Sequence, residues 1–158
     1  MHKRREFLKL LTVALAGSPL IAWAENAGPA VQVYKSATCG CCSKWVDHLQ
    51  SNNFTVDTFD REDMASIKQQ AGIQAKYQSC HTGVSDQGYV FEGHVPARYV
   101  EAFLIDPPEG AIGLAVPAMP VGSPGMEMGQ RFQAYKVMLL LKDGKSRVFA
   151  QVNSPADQ

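Results

Sequence analysis

Three of the four cysteines stand within one short run, Cys39-Gly40-Cys41-Cys42, and the fourth, Cys80, lies far downstream beside His81. The run holds a Cys-x-x-Cys pair (Cys39 and Cys42), a Cys-x-Cys pair and a vicinal pair. A dithiol that exchanges with disulfides needs one attacking and one resolving sulfur, which leaves the third thiol without a task. Three thiolates so close can instead each coordinate or bridge a soft cation. A bond between the neighbours Cys41 and Cys42 would be strained. The spacing therefore favours metal ligation over two structural disulfides, with a dithiol role for Cys39 and Cys42 as the alternative.

Further soft donors follow. Met119, Met126 and Met128 lie where Pro107, Pro108, Pro117, Pro120 and Pro124 alternate with glycines, so no helical or strand period claims them for a core. Thioether sulfur suits Cu(I) and is of little use to magnesium or calcium. Plain packing is the competing role for each, and Met64 and Met138, on expected regular elements, are assigned to it. His81 and His94 flank the candidate site segments and bring imidazole, which binds both copper states. A structural role is the alternative for His94, and His48 is expected on the solvent side of a helix. There is no zinc-finger spacing, Gly-rich phosphate loop or Ser/His/Asp pattern.

The elements that must position these residues can be read from periodicity. Residues 31–36 alternate as a strand should. Cys42, Trp45, Val46 and Leu49 then fall at i, i+3, i+4 and i+7, one face of a helix reaching about Asn53. Phe54 to Phe59 reads as a second strand. This βαβ start puts the cysteine loop at the carboxyl end of the first strand, where open α/β sheets keep their sites. A Cys-x-x-Cys pair between strand and helix resembles the thioredoxin redox site, whose helix N-terminus favours thiolate. By analogy with that fold, the segment carrying Cys80 would run beside the cysteine loop. A helix is expected from about Glu62 to Ala71, a hairpin over residues 79–92, and a helix after Pro96. Residues 106–130 read as a long loop, and residues 135–152 as a closing hairpin about Lys142-Asp143-Gly144-Lys145. The expected class is α/β, a thioredoxin-like domain over 31–158 with a Pro/Gly/Met-rich C-terminal extension.

The first 24 residues read as a cleavable export signal: a basic start, an apolar run from Phe7 to Leu15, breakers at Gly17 and Pro19, and small residues at Ala22 and Ala24. Lys3-Arg4-Arg5-Glu6-Phe7-Leu8-Lys9 resembles the twin-arginine consensus. The run is too short and interrupted for a spanning helix, so a periplasmic domain with no stable membrane span after cleavage is expected, joined by a linker at 25–30. Cleavage removes four of the 15 basic and one of the 15 acidic residues, leaving a net charge of −3. Nucleic acid is excluded as a partner on that balance.

Taken together, Thr38-Cys39-Gly40-Cys41-Cys42, Ser79-Cys80-His81-Thr82, Gly88-Tyr89-Val90, Glu92-Gly93-His94-Val95-Pro96-Ala97 and the run from Met119 to Glu127 resemble the CopG family of exported bacterial copper-resistance proteins. The resemblance implies a thioredoxin-like domain whose extension adds ligands, and a multi-copper thiolate cluster at Cys39, Cys41, Cys42 and Cys80. It implies further ligands among His81, His94, Met119, Met126 and Met128, interconversion of Cu(I) and Cu(II), and efflux components as partners. Two departures from the family's pattern, Gln74 for an expected proline and Ala118 for an expected glycine, bear on loop stiffness rather than on a ligand.

Overall fold

A computed structural model describes residues 28–158, so the expected export signal and half of the expected linker lie outside the described residues. Seven strands form one mixed sheet in the order β2-β1-β3-β4-β5-β6-β7. The chain begins with β1 (Ala30–Lys35), α1 (Gly40–Ser51) and β2 (Thr55–Asp60), and β1 and β2 pair in parallel. This is the expected βαβ unit. Next come α2 (Met64–Gln70), a 3-10 turn (Ala75–Tyr77), and the antiparallel hairpin of β3 (Thr82–Ser85) and β4 (Val90–Glu92). After α3 (Ala97–Ile105), strand β5 (Ala111–Ala115) returns parallel to β4, and β6 (Tyr135–Leu141) with β7 (Ser146–Val152) closes the sheet. The architecture is α/β, and its opening order is compatible with a thioredoxin-like arrangement.

The main core lies on one face. Trp45, Val46 and Leu49 of α1 and Val100 and Phe103 of α3 pack there on Val31, Val33, Phe91, Leu114, Val137 and Leu139. The buried face of α1 is the stripe that the helical period marked. A smaller cluster of Ile73, Val90, Ala115 and Leu140 fills the other face. Burying Trp45 leaves its indole N–H in need of an acceptor, and it donates to the Val95 carbonyl at 2.8 Å.

Two expectations need correction. The segment 106–130 is not one loop, because Ala111-Ile112-Gly113-Leu114-Ala115 is an internal strand between β4 and β6. Strands enclosed on both faces show no apolar–polar alternation, and Gly113 weakens the strand signal further. That glycine is required: its φ is 153°, and a Cβ built there would stand 1.8 Å from the Val90 carbonyl oxygen. Gly113→Ala is expected to cost about 3 kcal/mol, a backbone clash in the sheet's centre, read as a lowered midpoint in urea unfolding. The second correction concerns His48. It is half-buried, and its Nε2 accepts the Ala97 backbone N–H at 3.0 Å. It thereby satisfies one of the orphan donors at the start of α3, because Pro96, in the capping position, provides no side-chain acceptor.

At both departures in loop sequence the backbone has a conformation that the expected residue would also adopt. Gln74 has φ −64° and ψ 146°, a conformation proline also adopts. Ala118 has φ 60°, the left-handed region glycine enters freely and alanine enters at a cost of about 1–2 kcal/mol.

Candidate metal centre

The loop after β1 delivers Cys39 to the N-cap position of α1, where its backbone N–H donates to the Ser36 carbonyl at 3.0 Å. Cys41 and Cys42 occupy the first turn. Cys42 is turned inward with the Trp45 stripe and is fully buried, whereas Cys39 and Cys41 are partly exposed. The unpaired N–H groups of a helix N-terminus favour negative charge. Cys39 and Cys42 are joined as a disulfide, while Cys41 and Cys80 are free.

Cys80 arrives from the segment just before β3, which pairs with β1. Its Sγ lies 3.9 Å from Cys41 Sγ, and Cys41 Sγ lies 3.5 Å from Cys39 Sγ. All four sulfurs fall within 4.8 Å of one another. Two sulfurs bound to one ion by bonds of about 2.3 Å and opened to trigonal geometry stand about 4 Å apart, so the Cys41–Cys80 pair already has that separation.

The two histidines meet the same sulfur. Cys80 Sγ is 3.2 Å from His81 Nδ1 and 3.2 Å from His94 Nε2, and their donor atoms also lie within 4.8 Å of one another. His94 Nδ1 is 2.8 Å from the Pro124 carbonyl. A carbonyl only accepts, so Nδ1 carries the proton and Nε2 turns its lone pair toward Cys80, the orientation a metal-binding imidazole needs. His81 is fully buried, its ring lies 4.4 Å from that of Trp45 at a tilt of 34°, and its Nε2 has no hydrogen-bond partner. These donors fit a soft cation.

Burial, reinforced by Cys41, pushes the Cys80 thiol up to about 12, so it keeps its proton until a cation displaces it. Burial holds His81 well below the usual imidazole range, with His94 and the Lys68 charge adding to the effect. Burial also lowers His94, opposed in part by the Pro124 carbonyl and by Glu127. Both rings therefore take up protons less readily in the folded protein than in the unfolded chain, where imidazoles titrate near pH 6.5. The unfolded state then binds more protons, so the apoprotein is expected to keep its full stability above that pH and lose it progressively below. Thermal midpoints measured from pH 7.5 to 5 should fall, and His81→Gln should flatten the slope.

The methionines separate in space. Gly125 packs on the first turn of α1, where a Cβ would stand 2.7 Å from the Cys41 carbonyl and 2.9 Å from the Trp45 nitrogen. Half-buried Met126 follows it directly in the chain. Met119 follows Ala118, whose carbonyl accepts from the Ser79 hydroxyl, and lines an open cavity of about 450 Å³ with Met138 and Tyr135. Met119 and Met128 are each about half exposed.

Sequence reading missed a buried ion pair next to the site. Lys68 of α2 reaches Glu92 of β4 at 2.5 Å, and Glu92 is fully buried. A lysine on a short amphipathic helix reads as solvent-facing, and only the tertiary arrangement shows otherwise.

Two solved structures are similar to this chain, "Copper resistance protein copG" in forms 1 and 2. They are 44% and 43% identical, with TM-scores of 0.73 and 0.72. The matches cover 77% and 78% of this chain and 95% and 97% of those chains. A family model described as a protein of unknown function, DUF411, matches residues 77–126, the stretch that holds Cys80, His81, His94, Met119 and Met126. No curated protein sequence matches. With that identity over nearly the whole of those structures, and with the cysteine cluster assembled, the chain belongs to the CopG family of copper resistance proteins.

Proposed function

We propose that this protein serves copper resistance by holding copper at Cys39, Cys41, Cys42 and Cys80 and interconverting Cu(I) and Cu(II) there. Copper is the substrate of this chemistry. The observation that carries the reading is the convergence of four sulfurs, and of two imidazoles on one of them, Cys80. Thiolates favour Cu(I), and the nitrogens of His81 and His94 accommodate Cu(II). Cys39 and Cys42 are the redox-active pair in this reading: closing their disulfide releases two protons and the two electrons that reduce two Cu(II) to Cu(I), and the reverse step returns them. Met126 is an added soft ligand, with Met119 and Met128 as further candidates. The export motif supports a periplasmic site of action after removal of residues 1–24, with copper efflux components as partners. Among the described residues no helix is long and apolar enough to cross a membrane.

The test is copper content and visible absorption of the mature protein, purified after growth with copper, before and after reductant. Several coppers per chain with reversibly changing bands are expected, and a copper-free protein would end the reading. A carrier or buffer would hold the same copper without the reversible change. A thiol-disulfide oxidoreductase is the second reading, favoured by the Cys39–Cys42 disulfide at the head of a helix. It requires Cys41→Ser to leave activity intact, whereas the copper reading requires that variant to lose copper.

A further inference from the structure

We propose that Glu92 is a positioning residue for the metal site: one buried carboxylate clamps the Cys80-His81 dipeptide from both sides and ties it to the segment that carries His94. The inference rests on the copper reading above and assigns a role to a residue that touches no metal.

The contacts are specific. Glu92 Oε1 accepts the Ser79 backbone N–H at 2.6 Å, immediately before Cys80. Glu92 Oε2 accepts the Thr82 hydroxyl at 2.6 Å, immediately after His81. The ligand-bearing pair is thus bracketed by the two oxygens of one side chain. Thr82 and Glu92 are also directly opposite each other in the β3–β4 ladder, so backbone register and side-chain clamp enforce the same placement.

The return contact closes the arrangement. Gly93 N–H donates to the His81 carbonyl at 3.0 Å. Gly93 has φ +72°, and a Cβ there would stand 2.6 Å from both Ser79 Cβ and the Val116 carbonyl oxygen. Only glycine lets these segments come this close. His94 follows at once, so the fixed end of β4 sets its ring against Cys80 Sγ.

Lys68 completes the clamp. Its Nζ donates to Glu92 Oε1 and, at 3.0 Å, to Thr82 Oγ1. An ion pair with both partners almost wholly buried brings little net stability relative to apolar residues of the same shape, while its geometry is tightly directional. That balance suits a part whose work is orientation. Partners outside the ligand shell that orient ligands typically change metal affinity by about 10–100-fold when removed.

The test uses Glu92→Gln combined with Lys68→Met, so that no unpaired charge is left inside, together with the milder Thr82→Val. The probe is Cu(I) under anaerobic conditions, with the reduced full chain. Circular dichroism confirms folding of each variant. The folded double variant should bind Cu(I) about tenfold more weakly than the wild type and show shifted copper–thiolate absorption bands. Thr82→Val, which removes one side of the clamp, should shift the bands in the same direction by less. A folded double variant with unchanged affinity and bands overturns the inference. If the double variant does not fold, unchanged bands in Thr82→Val overturn it alone. A wild-type protein that takes no Cu(I) defeats the copper reading itself, which is a different result from wild-type binding that the variants leave intact.

Discussion

Replacing Cys80 by serine is expected to remove most of the copper while leaving the fold in place. Cys80 is the sulfur on which the site converges: Cys41, His81 and His94 all lie within 3.9 Å of it. Serine keeps the side chain's shape and the Ser79 and Thr82 anchors on either side, so the β3 entry should not move. A hydroxyl is a poor ligand for soft copper. The loss should therefore exceed the roughly 10–100-fold typical of an outer partner. Competition with a Cu(I) chelator measures it, and Met126→Leu should show a smaller loss because a thioether is the weaker ligand. Retention of wild-type affinity by Cys80→Ser would remove Cys80 from the site.

Closing the Cys39–Cys42 disulfide is expected to lower the copper stoichiometry, and copper is expected to keep that pair open. A disulfide and two copper-bound thiolates use the same sulfurs, so the two states exclude each other. The exclusion is partial, because Cys41, Cys80, His81 and His94 keep their donors when Cys39 and Cys42 are joined. Whatever binds only the dithiol form stabilises it by about 2.7 kcal/mol at a hundred times its Kd. For a two-electron couple this raises the reduction potential by about 60 mV. Alkylation followed by mass spectrometry reads the outcome: two reactive thiols in air-oxidised apoprotein, and four in copper-loaded protein once the metal is removed under denaturing, anaerobic conditions. Equal copper content in the disulfide and dithiol forms would contradict this exclusion.

How legible the site was depended on the kind of contact. The spacing of Cys42, Trp45, Val46 and Leu49 marks the buried face of α1 directly, because 3.6-residue periodicity is local. The Cys-x-Cys-Cys run follows from composition, and the βαβ start sets it at a strand's carboxyl end. Cys80 required fold analogy, since a sulfur 38 positions beyond Cys42 meets the cluster only through β1–β3 pairing. Strand β5 was hidden because burial on both faces erases alternation. His48 as a cap for α3 and Lys68 as a buried partner of Glu92 were also hidden, since each side chain's role is set by a residue distant in sequence. Met119, Met126 and Met128 look alike in a proline-rich run. The packing of Gly125 on the first turn of α1 is what distinguishes Met126.

The most direct test of the central claim is copper X-ray absorption on the mature, copper-loaded protein. Sulfur neighbours at about 2.3 Å, the length expected of a metal–thiolate bond, should dominate the first shell and diminish in Cys80→Ser. A shell of nitrogen and oxygen alone at about 2.0 Å, unchanged by that substitution, would contradict a cysteine-held copper site.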